Sequence, residues 1–368
     1  MKHTDERSSP APPLPSTEPV RLVDRHGRRV EHPLFTAPDH TRLAELHRAM
    51  VIGRRFNQQA GTLARQGLLA VYPSSTGQEA TQVGGVLALS EQDWLFPSYR
   101  DSVALVTRGV DPVRALTLFR GDWHAGYDPR RHRCAPQCTP LAANASHAVG
   151  LTYAAHRRGR DVAALALTGD GATGEGDARE AYDFAAVWNA PVVFLVQSDQ
   201  RAAGSPPHRR TGTLTATRGG TGSGTRSHRV DGNDAAAVHA VVSSALAEAR
   251  AGGGPAIVEA LTCGVEPRTG SGAPPVHRSG AETAYWTERD PLLRTEALLR
   301  AEGGLGDPRE TERALAAIDA EAEGVAARVR ERMTGGDGPV HASLFAGTAA
   351  DPAPVDRRPA LAHGLRGA

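Results

Sequence analysis

Lysine is what this chain has least of: Lys2 is the only one. Its scarcity excludes a Walker-type phosphate loop and a Schiff-base or pyridoxal mechanism, both of which need an amine. Any grip on phosphate therefore falls to arginine, backbone N–H groups or a metal ion. Cysteine is scarce too. Three of them, an odd number, build no disulfide framework, and Cys134 and Cys138, with no second pair at zinc spacing, read as incidental thiols. Charge of one sign is not in excess, since 42 basic residues meet 41 acidic ones for a net +1. That balance gives no electrostatic case for nucleic acid or a membrane surface. No secretory apolar region and no apolar run of about 18 residues is present, so a cytoplasmic protein is expected.

What is there is a chain of 368 residues, long enough to bury a substantial core. Residues 1–20 are rich in Pro, Ser and charge and are expected to be disordered. Residues 21–345 are expected to form one α/β domain with helical N- and C-terminal parts, and 346–368 a disordered tail with no repeats anywhere. Residues 41–66 carry Leu43, Leu46, Met50, Val51 and Phe56 as an apolar helical stripe. Thr76-Gly77-Gln78-Glu79 reads as a helix start with Ala80, Val83 and Val86 on the buried face. Further helices are expected over 111–121, 142–156, 234–251, 291–302 and 308–333, and loops over 122–139, 201–226 and 264–283.

The organising stretch is 161–200. Residues 162–168 and 192–196 are short apolar runs of the kind that make buried strands. Between them lie a Gly169-Asp170-Gly171 turn, acidic residues at 174–177 that start a helix, and Ala181, Phe184, Ala185 and Trp188 at helical spacing. A strand–helix–strand unit of this kind has parallel strands. Asp170 and Asp199 then sit just past two strand ends, on the edge where open α/β sheets bind ligands. Two hard carboxylates beside a glycine turn suit Mg²⁺ holding a diphosphate. Spacing alone fits a nonspecific unit with ordinary turn aspartates equally well. Tyr99-Arg100, at the end of DWLFPSYR, adds an arginine suited to bidentate phosphate contact, or else a surface arginine beside a packed tyrosine.

Several ordered blocks decide between these. SSTGQEATQVG, FPSYRD, RGVDP, FRG, GDGATGEGD, FAAVWNAPVVFLVQ, RVDGNDAAAV and YWTERDPLLR, over roughly residues 22–345, resemble the alpha subunit of thiamine-diphosphate-dependent 2-oxo acid dehydrogenases. Among these the chain looks closest to bacterial pyruvate dehydrogenase (acetyl-transferring) alpha subunits. The resemblance implies a thiamine-diphosphate-binding α/β fold, a mostly parallel sheet with helices on both faces. It implies that Tyr99 and Arg100 contact the diphosphate and that Leu141 supports the cofactor's bent shape. Asp170 would be a Mg²⁺ ligand, with Gly171 and Ala172 beside the diphosphate. Asp199 would be the second ligand, and the backbone carbonyl of Arg201 would complete the set. The implied partners are a beta subunit, which supplies the activating glutamate in an α₂β₂ tetramer, a lipoyl-bearing dihydrolipoyl acyltransferase and a small 2-oxo acid. The thiazolium ring would serve as electron sink for decarboxylation.

The chain departs from that pattern in three places. Ser198-Asp199 replaces the family's paired asparagines, which adds a negative charge near a diphosphate. Arg268 occupies the family's catalytic histidine position, and arginine cannot shuttle protons near neutral pH. Gly272-Ala273 replaces an acidic pair in the same loop, where His277 is a nearby imidazole, and residues 212–226 lack an aromatic segment. Two readings follow: a working or impaired alpha subunit, most simply for pyruvate, or a non-catalytic relative kept for binding or assembly. A branched-chain 2-oxo acid or acetoin dehydrogenase alpha subunit shares every motif.

Overall fold

Strand alternation decides the layering. In the computed structural model, which describes residues 18–122, 124–199, 225–263 and 280–335 (281–283 by backbone only), β2 (Ala164–Gly169) and β3 (Val192–Ser198) form the middle of the sheet. Leu165, Leu167, Val193 and Leu195 enter one apolar cluster, while Ala164, Ala166, Val192, Phe194 and Val196 enter a second cluster on the opposite face. Burial on both faces is why these strands read as unbroken apolar runs rather than as alternating ones. With β1 (Trp94–Phe96), β4 (Arg226–Asp231) and β5 (Ala256–Leu261) they make a five-stranded sheet of order β1-β2-β3-β5-β4, parallel at every pairing. The α/β parallel architecture expected from sequence is therefore what the chain adopts.

One face carries α1 (His40–Arg65), α2 (Glu79–Leu87) and, beyond the short α3 (Ser102–Thr107), the later helix α7 (Ala235–Glu248). The other carries α5 (Ala143–Arg157) and α6 (Gly176–Val187), which follow the four-residue α4 (Pro129–His132). In α2, a Cβ at Gly85 would lie 2.7 Å from Leu195 Cδ2, so glycine lets this helix lie directly on the sheet. The chain ends in α8 (Gly280–Thr287), α9 (Pro291–Glu302) and α10 (Pro308–Thr334), the last packed along α1. Asp128-Pro129, Asp290-Pro291 and Asp307-Pro308 each start a helix. In each, the aspartate caps exposed N–H groups and proline occupies a position whose N–H has no helical partner.

The N-terminal segment is sewn to this framework by buried charge. Asp234 accepts from the backbone N–H groups of Leu22 (2.8 Å) and Val23 (2.7 Å), and Arg294 donates to Asp231 Oδ2 at 3.0 Å and to the Val23 carbonyl. Burial works against ionisation of Asp231, but Arg294 and Arg21 hold its carboxyl below the ordinary range.

Several expectations need correction. Order begins before residue 21: Val20 is buried and bridges Val230 as a further parallel contact. Val51 is only half-buried, and Ile52 and Ala60 take the core positions of α1 instead. Residues 111–121 hold a tight 3₁₀ turn, Arg114–Arg120, and α4 interrupts the loop expected over 122–139. The four residues at helical spacing divide, a point the spacing left open: Ala181 and Ala185 of α6 are buried, while Phe184 (47% exposed) and Trp188 (38%), the residue just past α6, are not. These two rings meet tilted at 4.8 Å, and Trp188 stacks on Tyr153 of α5 at 4.6 Å, outside the core. Among the described residues no helix is long and apolar enough to cross a membrane. Residues 1–17 of the expected 1–20 segment and all of the expected 346–368 tail lie outside the described residues, as do 336–345, 200–224 and 264–279.

Candidate functional site

The carboxyl ends of β1, β2 and β3 lie side by side, and each delivers one element of the candidate site. Past β1 come Pro97, Ser98, Tyr99 and Arg100; past β2 comes Asp170; past β3 comes Asp199. Gly169 pairs with Gln197 across β2 and β3, so Asp170 and Asp199 leave neighbouring strands one residue out of step. The Arg100 guanidinium reaches over to β2, its Nη1 lying 4.0 Å from where a Cβ on Gly169 would be, and it sits 5.0 Å from the Tyr99 ring centroid. Its Nε is buried with no hydrogen-bond partner among the described residues, and so is the hydroxyl of Thr168, two residues before Asp170. A buried guanidinium N–H left without an acceptor is costly.

A buried polar network holds this edge in place. Gln197, inside β3, donates to Asp101 Oδ1 at 2.7 Å and accepts from Gln82 of α2 at 3.2 Å. The other Asp101 oxygen accepts from the Ser98 backbone and hydroxyl, both at 2.7 Å, which closes the turn carrying Tyr99 and Arg100. Burial pushes the Asp101 carboxyl above its ordinary pKa, against those hydrogen bonds. Asn144, at the start of α5, donates to the Phe96 carbonyl (3.0 Å) and the Leu167 carbonyl (2.7 Å), tying that helix to the ends of β1 and β2. The SSTGQEA turn reaches the same edge from the other face. Thr262, just past β5, donates to the Gly77 carbonyl at 2.8 Å, and Glu79 accepts from the Gly77 N–H at 2.8 Å while pairing with Arg54. Gly77 has φ +91°, a conformation that fits glycine.

Leu141 is 45% exposed, three residues past Cys138, whose carbonyl accepts from the Tyr99 N–H at 3.0 Å. Its turn therefore lies beside Tyr99. Gly171 and Ala172 belong to the tight turn Asp170–Gly174, in which Ala172 is buried and Thr173 donates to the Asp170 carbonyl at 2.7 Å. The edge thus gathers Tyr99, Arg100, Leu141, Asp170, Gly171, Ala172 and Asp199. Arg201, Arg268, Gly272, Ala273 and His277 lie outside the described residues. Cys134 is buried and Cys138 half-buried, neither in a disulfide; burial pushes the Cys134 thiol up to about 12. No cluster of three or more His, Cys, Asp or Glu able to hold a metal occurs among the described residues.

Gln82, Asp101, Asn144 and Gln197 were not singled out in the sequence. Their signal is a polar residue inside a segment otherwise destined for burial, as Gln197 is in VVFLVQS. Gln197→Ala would strip partners from the buried Asp101 and Gln82, so urea unfolding should show a loss of about 1–3 kcal/mol. An unchanged midpoint would remove the network from the account.

Residues 47–335 match the family described as the dehydrogenase E1 component. The chain belongs to that family. It is 40% identical over 291 residues, 78% of each chain, to a 3-methyl-2-oxobutanoate dehydrogenase subunit alpha of Mycobacterium tuberculosis. It is 32% identical over 296 residues, 80% of each chain, to a pyruvate dehydrogenase E1 component subunit alpha of Staphylococcus aureus. It is thus an alpha-type member of the 2-oxo acid dehydrogenase E1 family, an oxidoreductase family dependent on thiamine diphosphate. The E1 membership inferred from the sequence blocks holds. The preference for pyruvate-type relatives does not extend to substrate, since identity is higher to the relative named for the branched-chain acid.

Proposed function

We propose that this E1 alpha chain binds Mg²⁺–thiamine diphosphate at the carboxyl edge and works with a beta subunit in decarboxylating a 2-oxo acid and transferring the acyl group to a lipoyl carrier. The observation that carries this is the meeting of Arg100, Asp170 and Asp199 at three adjacent strand ends. The orphaned Arg100 Nε and Thr168 hydroxyl fit a diphosphate, which supplies acceptors to both. Asp170 and Asp199 supply hard oxygen ligands, the donor type Mg²⁺ takes alongside phosphate oxygens and water. When bound, thiamine diphosphate supplies the electron sink for decarboxylation. Tyr99 and Arg100 bind and orient the diphosphate, Gly171 and Ala172 offer backbone beside it, and Leu141 supports the rings. The Arg201 carbonyl is the remaining proposed metal contact.

Greater identity to the branched-chain relative favours a branched-chain 2-oxo acid as substrate, with pyruvate second. The chain, co-expressed with its beta partner and loaded with cofactor and Mg²⁺, should reduce ferricyanide with a higher kcat/KM for 3-methyl-2-oxobutanoate than for pyruvate. The reverse order would return the assignment to pyruvate.

Exposed Phe184, Val187 and Trp188 support a partner surface on α6, the helix that starts at the cofactor edge. Val187→Asp with Trp188→Arg should leave folding intact and shift the α₂β₂ species to separate subunits in light scattering. An unaltered tetramer would place the beta subunit elsewhere.

Arg268 at the histidine position favours a second reading, an alpha-type chain that binds cofactor without turnover. If the histidine role applies, Arg268→His should raise the lipoyl-dependent rate in the assembled tetramer. An unchanged rate in an otherwise active tetramer removes Arg268 from the account.

A further inference from the structure

Away from the cofactor edge, at the amino end of β1, a cavity of about 520 Å³ lies between the turn before that strand and α4. Its lining includes Arg108, Arg130, Arg131, His132 and Arg133, with Glu91 as the one carboxylate. The sequence builds this concentration of charge locally. Asp128 and Pro129 start α4, and Arg133 ends it at φ 49°, so a single short turn brings three arginines and a histidine to one wall.

Arg108 fixes the opposite wall. Its Nη2 donates to the carbonyls of Asp93 (2.6 Å), Ser90 (3.3 Å) and Glu91 (3.3 Å), and its Nε donates to the His132 carbonyl at 3.3 Å. Those acceptors hold both walls at a set distance without neutralising its charge. Arg130, Arg131 and Arg133 make no side-chain hydrogen bond or ion pair among the described residues. Burial, then the nearby Arg131 charge and those of Arg114 and Arg108, pushes His132 below its ordinary pKa against Asp128. The ring also meets Tyr127 edge-on at 6.0 Å, which restrains it.

We propose that this cavity binds a compact polyphosphate group, at a site separate from the carboxyl edge. Its volume is that of a small-molecule site. Guanidinium forks match phosphate oxygens two at a time, and four of them facing one carboxylate call for more than a single phosphate charge. Apart from the His132 imidazole, held edge-on against Tyr127, no aromatic and no apolar residue lines the cavity, so the recognised part is the charge itself.

Isothermal titration of inorganic tripolyphosphate into the full-length chain tests this, in an Arg100→Ala background so that the carboxyl edge does not contribute. Saturable one-to-one binding is expected at about 0.15 M salt. Arg130→Gln, Arg131→Gln and Arg133→Gln together should weaken it at least about tenfold. Equal charge removed from α10, by Arg309→Gln, Arg313→Gln and Arg328→Gln, should change it less than about threefold. Glu91→Gln, which removes no arginine, should tighten it severalfold. A parallel titration with ATP separates sources: affinity comparable to tripolyphosphate assigns a nucleotide's phosphate tail, and affinity more than about tenfold weaker assigns free polyphosphate. No saturable binding, equal weakening by the two triple variants, or unchanged affinity in Glu91→Gln overturns the proposal.

Discussion

Asp170→Ala should weaken Mg²⁺-dependent binding of thiamine diphosphate by on the order of a hundredfold or more, with little effect on folding. Loss of an outer-shell group around a metal already costs about ten- to a hundredfold, and Asp170 is proposed as a direct ligand. It follows the last residue of β2 and is only half-buried, so its removal opens no core cavity. Calorimetric titration of the cofactor at several Mg²⁺ concentrations measures the effect. The same titration separates the two carboxylates. Asp199→Asn introduces the asparagine that the resemblance implies at this position and removes one negative charge beside the proposed diphosphate, so it should hold or improve cofactor affinity while Asp170→Ala lowers it. Equal loss in both variants would mean that the second carboxylate has become indispensable in this chain. No loss in Asp170→Ala would remove the proposed metal site.

The second large effect is on stability. Arg294→Met should destabilise the fold by about 3–5 kcal/mol, because it leaves Asp231 and Asp234 as buried carboxylates facing no cation of comparable contact. Arg21 reaches Asp231 Oδ2 at 3.1 Å but is 42% exposed, and does not replace Arg294. The loss should grow with pH over the range in which Asp231 ionises. Asp231 is held below its ordinary pKa in the folded state, so its contribution is full above the unfolded value and falls away as pH drops through the folded one. The Arg294→Met variant loses that contribution, and its deficit relative to the parent should shrink in acid. Urea unfolding at neutral and acidic pH checks both statements. A deficit below about 1 kcal/mol at neutral pH would show the cluster to be dispensable.

The sheet was legible where apolar runs were short and bounded. ALAL and VVFLV read as buried parallel strands because each residue in them enters an apolar cluster on one face of the sheet or the other. Helices opened by Asp-Pro are legible over 291–302 and 308–333, whereas the same signal at Asp128-Pro129 is followed by only one helical turn, too short for periodicity to show. Phe184 and Trp188 share the helical spacing of Ala181 and Ala185 but not their burial. Helical spacing shows which residues share a face, but small Ala181 and Ala185 suit close approach to the sheet, and the aromatic pair was left outside. At the site, residues that follow strand ends were visible because topology puts them on one edge. The Gln82–Gln197–Asp101 network was not, since each member becomes meaningful only when three distant segments meet.

The most direct test is calorimetric titration of thiamine diphosphate with Mg²⁺ into the chain assembled with its beta partner. Mg²⁺-dependent binding of one cofactor per alpha chain is expected, weakened at least about tenfold by Arg100→Ala. A well-formed α₂β₂ assembly that binds no cofactor, or one whose binding is indifferent to Arg100→Ala, would contradict it.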